Sequence, residues 1–204
     1  MRPQFDVPVL QGTRVRLEPL SMAHAADLAL AAEEDRSTYG FTWVPHGSEI
    51  EEYLRTQFQR AQEGELIPFA QIRLSDERAV GSTAYWDLRA WPGRSQTCAV
   101  EIGWTWLSAS AQNTGINVEA KLLLFTHAFE ALGVARVDLK TDARNKRSRR
   151  AIERLGAHFE GVLRCWSASW APGEEGQLRD SAMYSVVASE WPVTAAILRR
   201  RLGV

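Results

Sequence analysis

Residues 101–117 of this 204-residue chain are EIGWTWLSASAQNTGIN, an alternating segment that passes into a loop of small and polar residues. The alternation predicts a β-strand over Thr97–Leu107. Its two faces would carry Val100, Ile102, Trp104 and Trp106 on one side and Glu101, Gly103 and Thr105 on the other. Beyond the loop, apolar residues recur at helical spacing at Val118, Leu122, Phe125, Phe129 and Leu132. We therefore expect a long amphipathic helix over Asn113–Leu132 whose apolar stripe covers a sheet.

The loop over residues 108–117 has the form of an anion-binding site because it leads directly into a helix N-terminus. The first N–H groups of a helix have no intrahelical partners, and the helix dipole directs its positive end toward the loop. Gly115 would let the backbone approach a phosphate closely; alternatively, it only relaxes an ordinary strand-to-helix turn. The chain has neither a Gly-x-Gly-x-x-Gly nor a Gly-Lys-Ser/Thr motif, which excludes a Rossmann fingerprint and a P-loop.

The remaining segments predict an α/β (mixed α+β) domain with a largely antiparallel sheet and one parallel crossover. Strands are predicted over residues 14–18, 67–74, 79–88, 134–141, 158–166 and 182–187. Helices are predicted over residues 22–32, 49–63 and 189–202, and over a segment between Asn145 and Gly156. Ser21, Ser48 and Asn145 are the expected N-caps. The strand–helix–strand–helix succession in the second half is typical of a parallel crossover.

Length and composition favour a single domain over residues 1–204, with a core spanning residues 10–187. Hydrophobic residues make up 45% and charged residues 24% of the chain, and the formal net charge is −1. Nothing in these values indicates nucleic acid or a membrane as a partner. The absence of an apolar N-terminal run favours a cytoplasmic protein. Cys98 and Cys165 cannot form a disulfide framework, and the four histidines lack metal-ligand spacing, so we expect no metal.

Several short motifs occur in a characteristic order along the chain. They are Glu101-Ile102-Gly103-Trp104, Trp106-Leu107, residues 112–117 (QNTGIN), Asn145-Lys146-Arg147-Ser148 and Leu155-Gly156. In this order and spacing the chain resembles the GNAT superfamily of N-acetyltransferases and, within it, the RimJ/RimL-type branch of ribosomal-protein N-terminal acetyltransferases. The resemblance implies the GNAT fold, in which a mostly antiparallel twisted sheet is splayed in the middle and flanked by helices.

The resemblance also implies that acetyl-coenzyme A (acetyl-CoA) is the acetyl donor. The family's pyrophosphate loop, Gln/Arg-x-x-Gly-x-Gly/Ala, corresponds here to residues 112–117, with Asn117 in place of the final small residue. The cofactor contacts implied in this way are Trp106, Leu107, Gln112, Asn113, Thr114, Gly115, Ile116, Asn117, Asn145, Arg147 and Arg150. Trp106 and Leu107 would offer backbone to the pantetheine arm, and one N–H there would polarise the thioester carbonyl. For the two arginines, a solvated helix face is the alternative.

Direct acetyl transfer to an amine needs a base, because the acceptor is mostly protonated at neutral pH. Glu101 matches the acidic residue of the branch's Glu-Ile/Leu-Gly-Tyr/Trp pattern and is the candidate base; a salt-bridged sheet glutamate is the alternative. Many GNAT enzymes protonate the departing thiolate with a tyrosine, whose position is Ile152 here. Ser148, where the branch has serine, is the candidate replacement, and its alternative role is hydrogen bonding at the helix N-terminus. Tyr184 is a weaker candidate, with a packed aromatic as its alternative.

By resemblance, the acceptor pocket is formed by the first two helices, their connecting loop and the last hairpin. Aromatic residues in or near these segments are Tyr39, Phe41, Trp43, Trp86, Trp91, Trp166 and Trp170. Of these, Tyr39, Trp43, Trp86 and Trp166 are the candidate substrate contacts, and core or dimer packing is the alternative for most of them. The acidic residues Glu33, Glu34 and Asp35 either attract a cationic acceptor or form a solvated loop.

Three functions remain open at this point. The first is acetylation of a protein or peptide N-terminal amine, and the second is acetylation of a small amine such as an amino acid, polyamine or amine antibiotic. The third is a non-catalytic module that binds coenzyme A or a partner protein. Glu101 and the cofactor loop argue against the third. A homodimer is compatible with the tryptophan-rich surface that the sequence implies.

Overall fold

The computed structural model describes residues 7–91 and 98–204. The described strands form one eight-stranded sheet. They are β1 (Leu10–Gln11), β2 (Val15–Pro19), β3 (Leu66–Arg73), β4 (Arg78–Arg89), β5 (Ala99–Leu107), β6 (Arg136–Asp142), β7 (His158–Ala168) and β8 (Leu178–Val187). Their spatial order is β1-β2-β3-β4-β5-β6-β8-β7. Only β5 and β6 pair in parallel, so the predicted crossover lies between them.

Helices cover both faces of the sheet. They are α1 (Ala25–Glu33), α2 (Ile50–Gln62), α3 (Ile116–Thr126), α4 (Lys146–Glu153) and α5 (Trp191–Leu202). The apolar residues of α1 and α2 form one core with Ala70, Ile72 and Trp106. A larger core on the other face contains residues of α3, α4 and α5. The mixed α/β fold with a splayed, mostly antiparallel sheet is therefore confirmed.

Most of the predicted element bounds agree with the structure to within a few residues. The predicted cap of α2 and the predicted bounds of α3 and β8 differ from those in the structure. Ser48 does not cap α2, because it lies inside a 3-10 turn, Gly47–Glu49, in which the Glu49 carboxylate accepts a hydrogen bond from the His46 N–H at 2.8 Å. Helix α3 begins at Ile116, since Gly115 has a left-handed φ of +90°, and it ends at Thr126, where a π-helical segment, His127–Ala131, replaces the predicted last turns. Strand β8 begins at Leu178, four residues before the predicted start at Ala182. Thr97, the predicted first residue of β5, lies outside the described residues.

A bulge in β5 overturns the predicted assignment of its faces. Trp104 has a left-handed φ of +52°, and the register with β4 shifts there, because β5 has one extra residue between the Gly103 and Trp106 pairs. The ring of Trp104 packs under the Arg60 guanidinium of α2 at 4.7 Å. Trp106 is buried in the core that contains α1 and α2. Both tryptophans therefore lie opposite Val100 and Ile102, because the bulge interrupts strict alternation.

The predicted stripe of the long helix is also displaced. The buried residues of α3 are Ile116, Glu119, Ala120, Lys121, Leu124 and Phe125. Val118 and Leu122 are only partly buried. Because α3 is apolar on more than one side, the spacing of its leucines does not predict which side packs on the sheet. As a result, the structure buries two charged residues, Glu119 and Lys121. Among the helices of the described residues, none has the length and apolar character needed to cross a membrane.

Candidate active site

A cavity opens where β5 and β6 separate. The two strands pair over three residues only, from Ala99↔Arg136 to Glu101↔Asp138. Beyond these pairs the strands diverge and border a cavity of about 390 Å³. Its walls also include residues of α3, of α4, of the loop after α1 and of the β7–β8 hairpin. A gap between two strands leaves the backbone of their facing edges available to a ligand.

Glu101 lies at the point of divergence and lines the cavity. Its side chain is nearly buried, and its Oε2 lies 3.2 Å from the Lys140 Nζ on β6. The Lys140 ammonium also lies over the Trp86 ring, 4.7 Å from its centre. Burial raises the pKa of Glu101, and the positive charge of Lys140 opposes that shift. Glu101 thus has both the cavity position expected of a base and the cationic partner of a salt-bridged glutamate.

Gly103 leaves room for this arrangement. A Cβ at residue 103 would lie 3.1 Å from the Glu101 Oε1 and 3.2 Å from the Trp86 Nε1. Both distances are shorter than an ordinary van der Waals contact, so a larger residue would displace the carboxylate or the indole. The glycine of the Glu-Ile-Gly-Trp motif therefore has a local packing role next to Glu101.

Lys121 enters the cavity from α3, on the opposite side of the sheet from Glu101. Its Nζ donates a hydrogen bond to the Thr105 Oγ1 at 2.8 Å, next to the Trp104 bulge. Burial lowers the pKa of Lys121 from its ordinary value of 10.5 to about 7. The sequence did not predict a role for Lys121, because a lysine in an amphipathic helix is ordinarily solvated. The signal that could have indicated it is the apolar series Ile116, Ala120 and Leu124, which places Lys121 near the buried side.

The loop before α3 has the geometry of a helix N-terminal site. Gly115 immediately precedes the first helical residue, and the Thr114 hydroxyl donates a hydrogen bond to the Ala111 carbonyl at 2.7 Å. Gln112 donates to the Leu107 carbonyl at 3.0 Å, which holds the start of the loop against the end of β5. Asn113 also lines the cavity. Leu107 and Trp106 lie in its wall as well, as the resemblance implies.

The other predicted cofactor residues of this loop differ in their placement. Asn117 lines the cavity, and its Oδ1 is buried without a hydrogen-bond partner among residues 7–91 and 98–204. Thr114, Gly115 and Ile116 are not part of the cavity wall. Ile116 packs into the core instead. Their role in cofactor binding stays a prediction.

Helix α4 contributes the candidate acid. The Asn145 Oδ1 accepts a hydrogen bond from the Ser148 N–H at 3.0 Å, which confirms Asn145 as the N-cap. Ser148 lines the cavity, and its hydroxyl has no hydrogen bond to the part of the chain that the structure describes. Ile152 lies in the same wall, one turn further along the helix. Helix α4 therefore presents a free hydroxyl and an apolar group to the cavity.

Two further candidates have different surroundings. Tyr184 is fully buried outside the cavity wall, and its hydroxyl donates to the Glu153 Oε1 at 2.8 Å. The structure thus excludes Tyr184 from the cavity and supports its alternative role as a packed aromatic. Arg150 is exposed and outside the wall, whereas Arg147 lines it and donates to the Gln112 Oε1 at 3.0 Å. Contact of either arginine with phosphate stays a prediction.

The aromatic wall contains three of the four predicted aromatic substrate contacts. Tyr39, Trp43 and Trp86 line the cavity, together with Phe41 and Trp170. Trp43 and Trp170 approach each other to 6.0 Å between ring centres, which joins the loop after α1 to the β7–β8 hairpin. Trp166 does not line the cavity; its side chain points away and is 54% exposed. It lies after Cys165, whose left-handed φ of +49° interrupts the alternation of β7.

The acidic residues after α1 also lie outside the cavity wall. The Glu33 carboxylate accepts a hydrogen bond from the Gly47 N–H at 2.7 Å. Glu34 accepts one from the Ser110 N–H at 2.8 Å, and Asp35 accepts one from the Ser37 N–H at 3.1 Å. These carboxylates organise backbone turns. A further cation, Arg179 of β8, lines the cavity; nothing near it in sequence indicates that it faces a cavity.

Known proteins share this sequence pattern and this fold. The description "Acetyltransferase (GNAT) domain" matches residues 14–158. The probable N-acetyltransferase YjcK of Bacillus subtilis is 27% identical over 162 residues, which cover 76% of this chain and 87% of that protein.

Solved structures extend the comparison to nearly the whole chain. A GCN5-related N-acetyltransferase from Brucella melitensis is 28% identical, with a TM-score of 0.81 over 98% of this chain and 87% of that one. RimJ of Mycobacterium smegmatis, solved in complex with a CoA disulfide, shares the fold at 21% identity and a TM-score of 0.72, over 93% of this chain and 89% of that one. Because the domain match spans more than half of the chain, the protein belongs to the GNAT family and is an acetyl-CoA-dependent acetyltransferase.

Proposed function

We propose that this enzyme transfers the acetyl group of acetyl-CoA to a primary amine that enters the cavity between β5 and β6. The observation that carries the proposal is the nearly buried carboxylate of Glu101 at the point where the two strands diverge. The first candidate acceptor is a protein or peptide N-terminus, by similarity to RimJ. A small amine is the second candidate, and the Trp43–Trp170 contact across the cavity wall favours it because that contact restricts the space for a protein segment.

Acetyl-CoA fits the geometry of the gap. Its pantetheine amides can pair with the facing strand edges, and its pyrophosphate can accept from the N–H groups at the start of α3. The unpartnered Oδ1 of Asn117 would accept a hydrogen bond from a donor of the ligand. The bound substrate supplies an activated acetyl group. Starting from the ammonium form of the acceptor, the nitrogen loses two protons: one before it attacks and one from the tetrahedral intermediate. One of the two protons is returned to the departing thiolate, and the other is released to solvent.

Glu101 is the proposed proton acceptor. A carboxylate whose pKa is raised by burial takes a proton from an ammonium group more readily than an exposed one. The Lys140 ammonium keeps the carboxylate oriented and ionised before the acceptor arrives. After the transfer, the proton resides on the Glu101 carboxyl, and the free amine attacks the acetyl carbonyl carbon.

Ser148 is the proposed hydrogen-bond donor for the departing thiolate. Its hydroxyl is on the same wall as Ile152, the position at which many relatives have tyrosine, and it has no hydrogen-bond partner among the described residues. The Ser148 N–H is already held by Asn145, which fixes the residue while leaving its hydroxyl free. The homodimer and the cytoplasmic location stay predictions.

A thiol-release assay tests the proposal. Wild-type enzyme and acetyl-CoA would be incubated with peptides of different N-termini and with small amines, and each product would be examined for the mass of an added acetyl group. We expect thiol release that depends on the acceptor, together with an acetylated amine. Coenzyme A binding without acceptor-dependent thiol release for any amine would favour a non-catalytic module and overturn the proposal.

A further inference from the structure

Arg179 lines the cavity on the same sheet face as Glu101. In the β6–β8 ladder, Met183 pairs with Lys140 and Ser181 pairs with Asp142, so the odd-numbered residues of β8 share a face with Lys140. Glu101 and Lys140 form an ion pair on that face. Arg179 therefore extends the polar surface of the site from β5 and β6 onto β8.

The guanidinium of Arg179 has unused hydrogen-bond donors. Its Nε donates to the Ser167 Oγ at 3.0 Å on the neighbouring strand β7. Its two terminal nitrogens make no hydrogen bond or ion pair with residues 7–91 or 98–204. Because the Nε–H is already bonded to Ser167, the two terminal NH2 groups of the guanidinium can each donate one hydrogen bond to the same planar acceptor, such as a carboxylate.

The carboxylates whose charges act on Arg179 are held by other cations. Burial lowers the pKa of Arg179, and the charges of Asp142 and Glu101 oppose that shift. Asp142 accepts hydrogen bonds from the Arg144 guanidinium at 2.9 and 3.0 Å and from its N–H at 2.8 Å. Glu101 pairs with Lys140. Arg179 is thus a partly desolvated cation that lacks an anion of its own.

The cavity as a whole has an excess of positive charge. Among its described lining residues the only carboxylate is Glu101, and the cationic side chains are Lys121, Lys140, Arg147, Arg154 and Arg179. Such a lining repels a polycation and attracts a substrate with a negative group. The phosphates of acetyl-CoA can balance part of this charge near Arg147, whereas Arg179 lies on the face of the sheet that carries Glu101.

We propose that Arg179 binds a carboxylate of the acceptor, so that the substrate is an amine that also carries a carboxylate. The inference rests on the proposed function and names its substrate class. One carboxylate would receive the two terminal N–H groups of Arg179, while the amine of the same molecule reaches Glu101. Two sources have this chemistry: the α-carboxylate of a free amino acid, and the acidic side chain of a residue close to a peptide N-terminus.

Matched acceptors separate the two sources. Thiol release would be measured for free amino acids and for their amides, and for peptides with Glu or Gln at the second position. The variant Arg179→Gln removes the charge, and Arg164→Gln is the matched control, because Arg164 is exposed on β7 and outside the cavity wall. We expect Arg179→Gln to lower kcat/KM for the carboxylate member of one pair by about 10- to 100-fold. The kcat/KM for the neutral member of that pair, the amide or the Gln peptide, should not change, and the Kd of coenzyme A should also stay the same.

Each alternative outcome overturns the inference. An equal loss for the carboxylate acceptor and its neutral partner would show that Arg179 does not recognise that group. A weaker Kd for coenzyme A would assign Arg179 to the cofactor. A wild-type enzyme with no preference within either pair would exclude carboxylate recognition altogether.

A binding measurement distinguishes a failure of carboxylate recognition by Arg179 from a failure of the proposed acetyl transfer. N-acetyl amino acids and their amides, and N-acetylated peptides with Glu or Gln at the second position, would be titrated into the protein with coenzyme A present, which requires no turnover. Selective binding of the carboxylate forms that Arg179→Gln abolishes would support the inference even without thiol release. Thiol release without such selectivity would retain the proposed function and exclude the role of Arg179.

Discussion

Two buried glutamates in this molecule have opposite surroundings. Glu119, in the first turn of α3, is 5% exposed, and its carboxylate accepts hydrogen bonds from the backbone N–H groups of Thr13, Arg14 and Val15 at 2.7–3.1 Å. It also accepts one from the Thr13 hydroxyl at 2.8 Å. Glu101 is 4% exposed, lies beside a cavity and has Lys140 as its ion-pair partner.

The difference separates a structural carboxylate from a reactive one. The donors around Glu119 outweigh the cost of burial and lower its pKa. At Glu101, burial is the larger effect and the pKa is raised. Burial alone therefore does not indicate function. A carboxylate saturated with hydrogen bonds fastens the N-terminal strands to α3, whereas one with unused acceptor capacity beside a cavity can take up a proton.

The largest effect is expected from Glu101→Gln. Without the proton acceptor, kcat for acetyl transfer should fall by about 100-fold or more. Coenzyme A affinity should stay close to wild type, whereas Tm should fall, because the variant leaves the nearly buried Lys140 ammonium without its ion-pair partner. The measurement is thiol release over a range of pH, with Glu52→Gln, an exposed residue of α2, as the control. Unchanged turnover of Glu101→Gln at every pH would remove Glu101 from the mechanism.

For the structural carboxylate, the variant Glu119→Gln should lower the free energy of unfolding more than it lowers kcat. The amide has one acceptor oxygen for the four donors, so we expect the free energy of unfolding at pH 7 to fall by about 3 kcal/mol. Because the folded pKa of Glu119 is below 4.5, its stabilisation is present above pH 4.5 and is lost as pH falls through that lower pKa. Urea titrations at pH 7 and pH 3 should show the difference between variant and wild type shrinking in acid. A constant difference would contradict this assignment.

The variant Lys121→Met tests the energetic cost of burying the Lys121 side chain beside the cavity. The folded pKa of Lys121 is about 7 and its ordinary value is 10.5, so wild-type stability should rise with pH across this window, where the unfolded chain binds more protons. We expect Lys121→Met to be more stable than wild type by about 2 kcal/mol at pH 7 and by less at pH 10. Thr105 keeps its contact with Thr83 at 2.8 Å in this variant. A variant that is less stable than wild type at pH 7 would contradict the cost of burial.

The smallest effect is expected from Ser148→Ala. Removal of the hydroxyl should reduce kcat by about tenfold and leave Tm unchanged, since the cap of α4 uses the Ser148 N–H and the Asn145 side chain. Asn145→Ala is the matched comparison, and it should lower stability by about 1 kcal/mol through loss of the cap. A normal rate for Ser148→Ala would assign protonation of the thiolate to solvent or to another group of the cavity.

The sequence predicted the sheet, the crossover and the loop before α3, because periodicity and capping are local properties. It also predicted Glu101, Asn145 and Ser148 at the cavity wall through motif resemblance. The roles of Lys121 and Arg179 depend on which strands and helices surround them, and their burial is a long-range property of the fold. Trp166 and the faces of β5 were misplaced because left-handed residues, Cys165 and Trp104, break the alternation, and no local pattern marks them.

The short parallel pairing of β5 and β6 has a consequence for the cohesion of the sheet. Three residue pairs connect the two halves of the sheet at this junction, and the facing edges beyond them have no strand partner within residues 7–91 and 98–204. The outward amides of these edges should exchange rapidly with deuterium until a ligand lies between them. Bound acetyl-CoA would then accept and donate the backbone hydrogen bonds that β5 and β6 do not make with each other. The sheet would be continuous across this junction only in the substrate-bound enzyme.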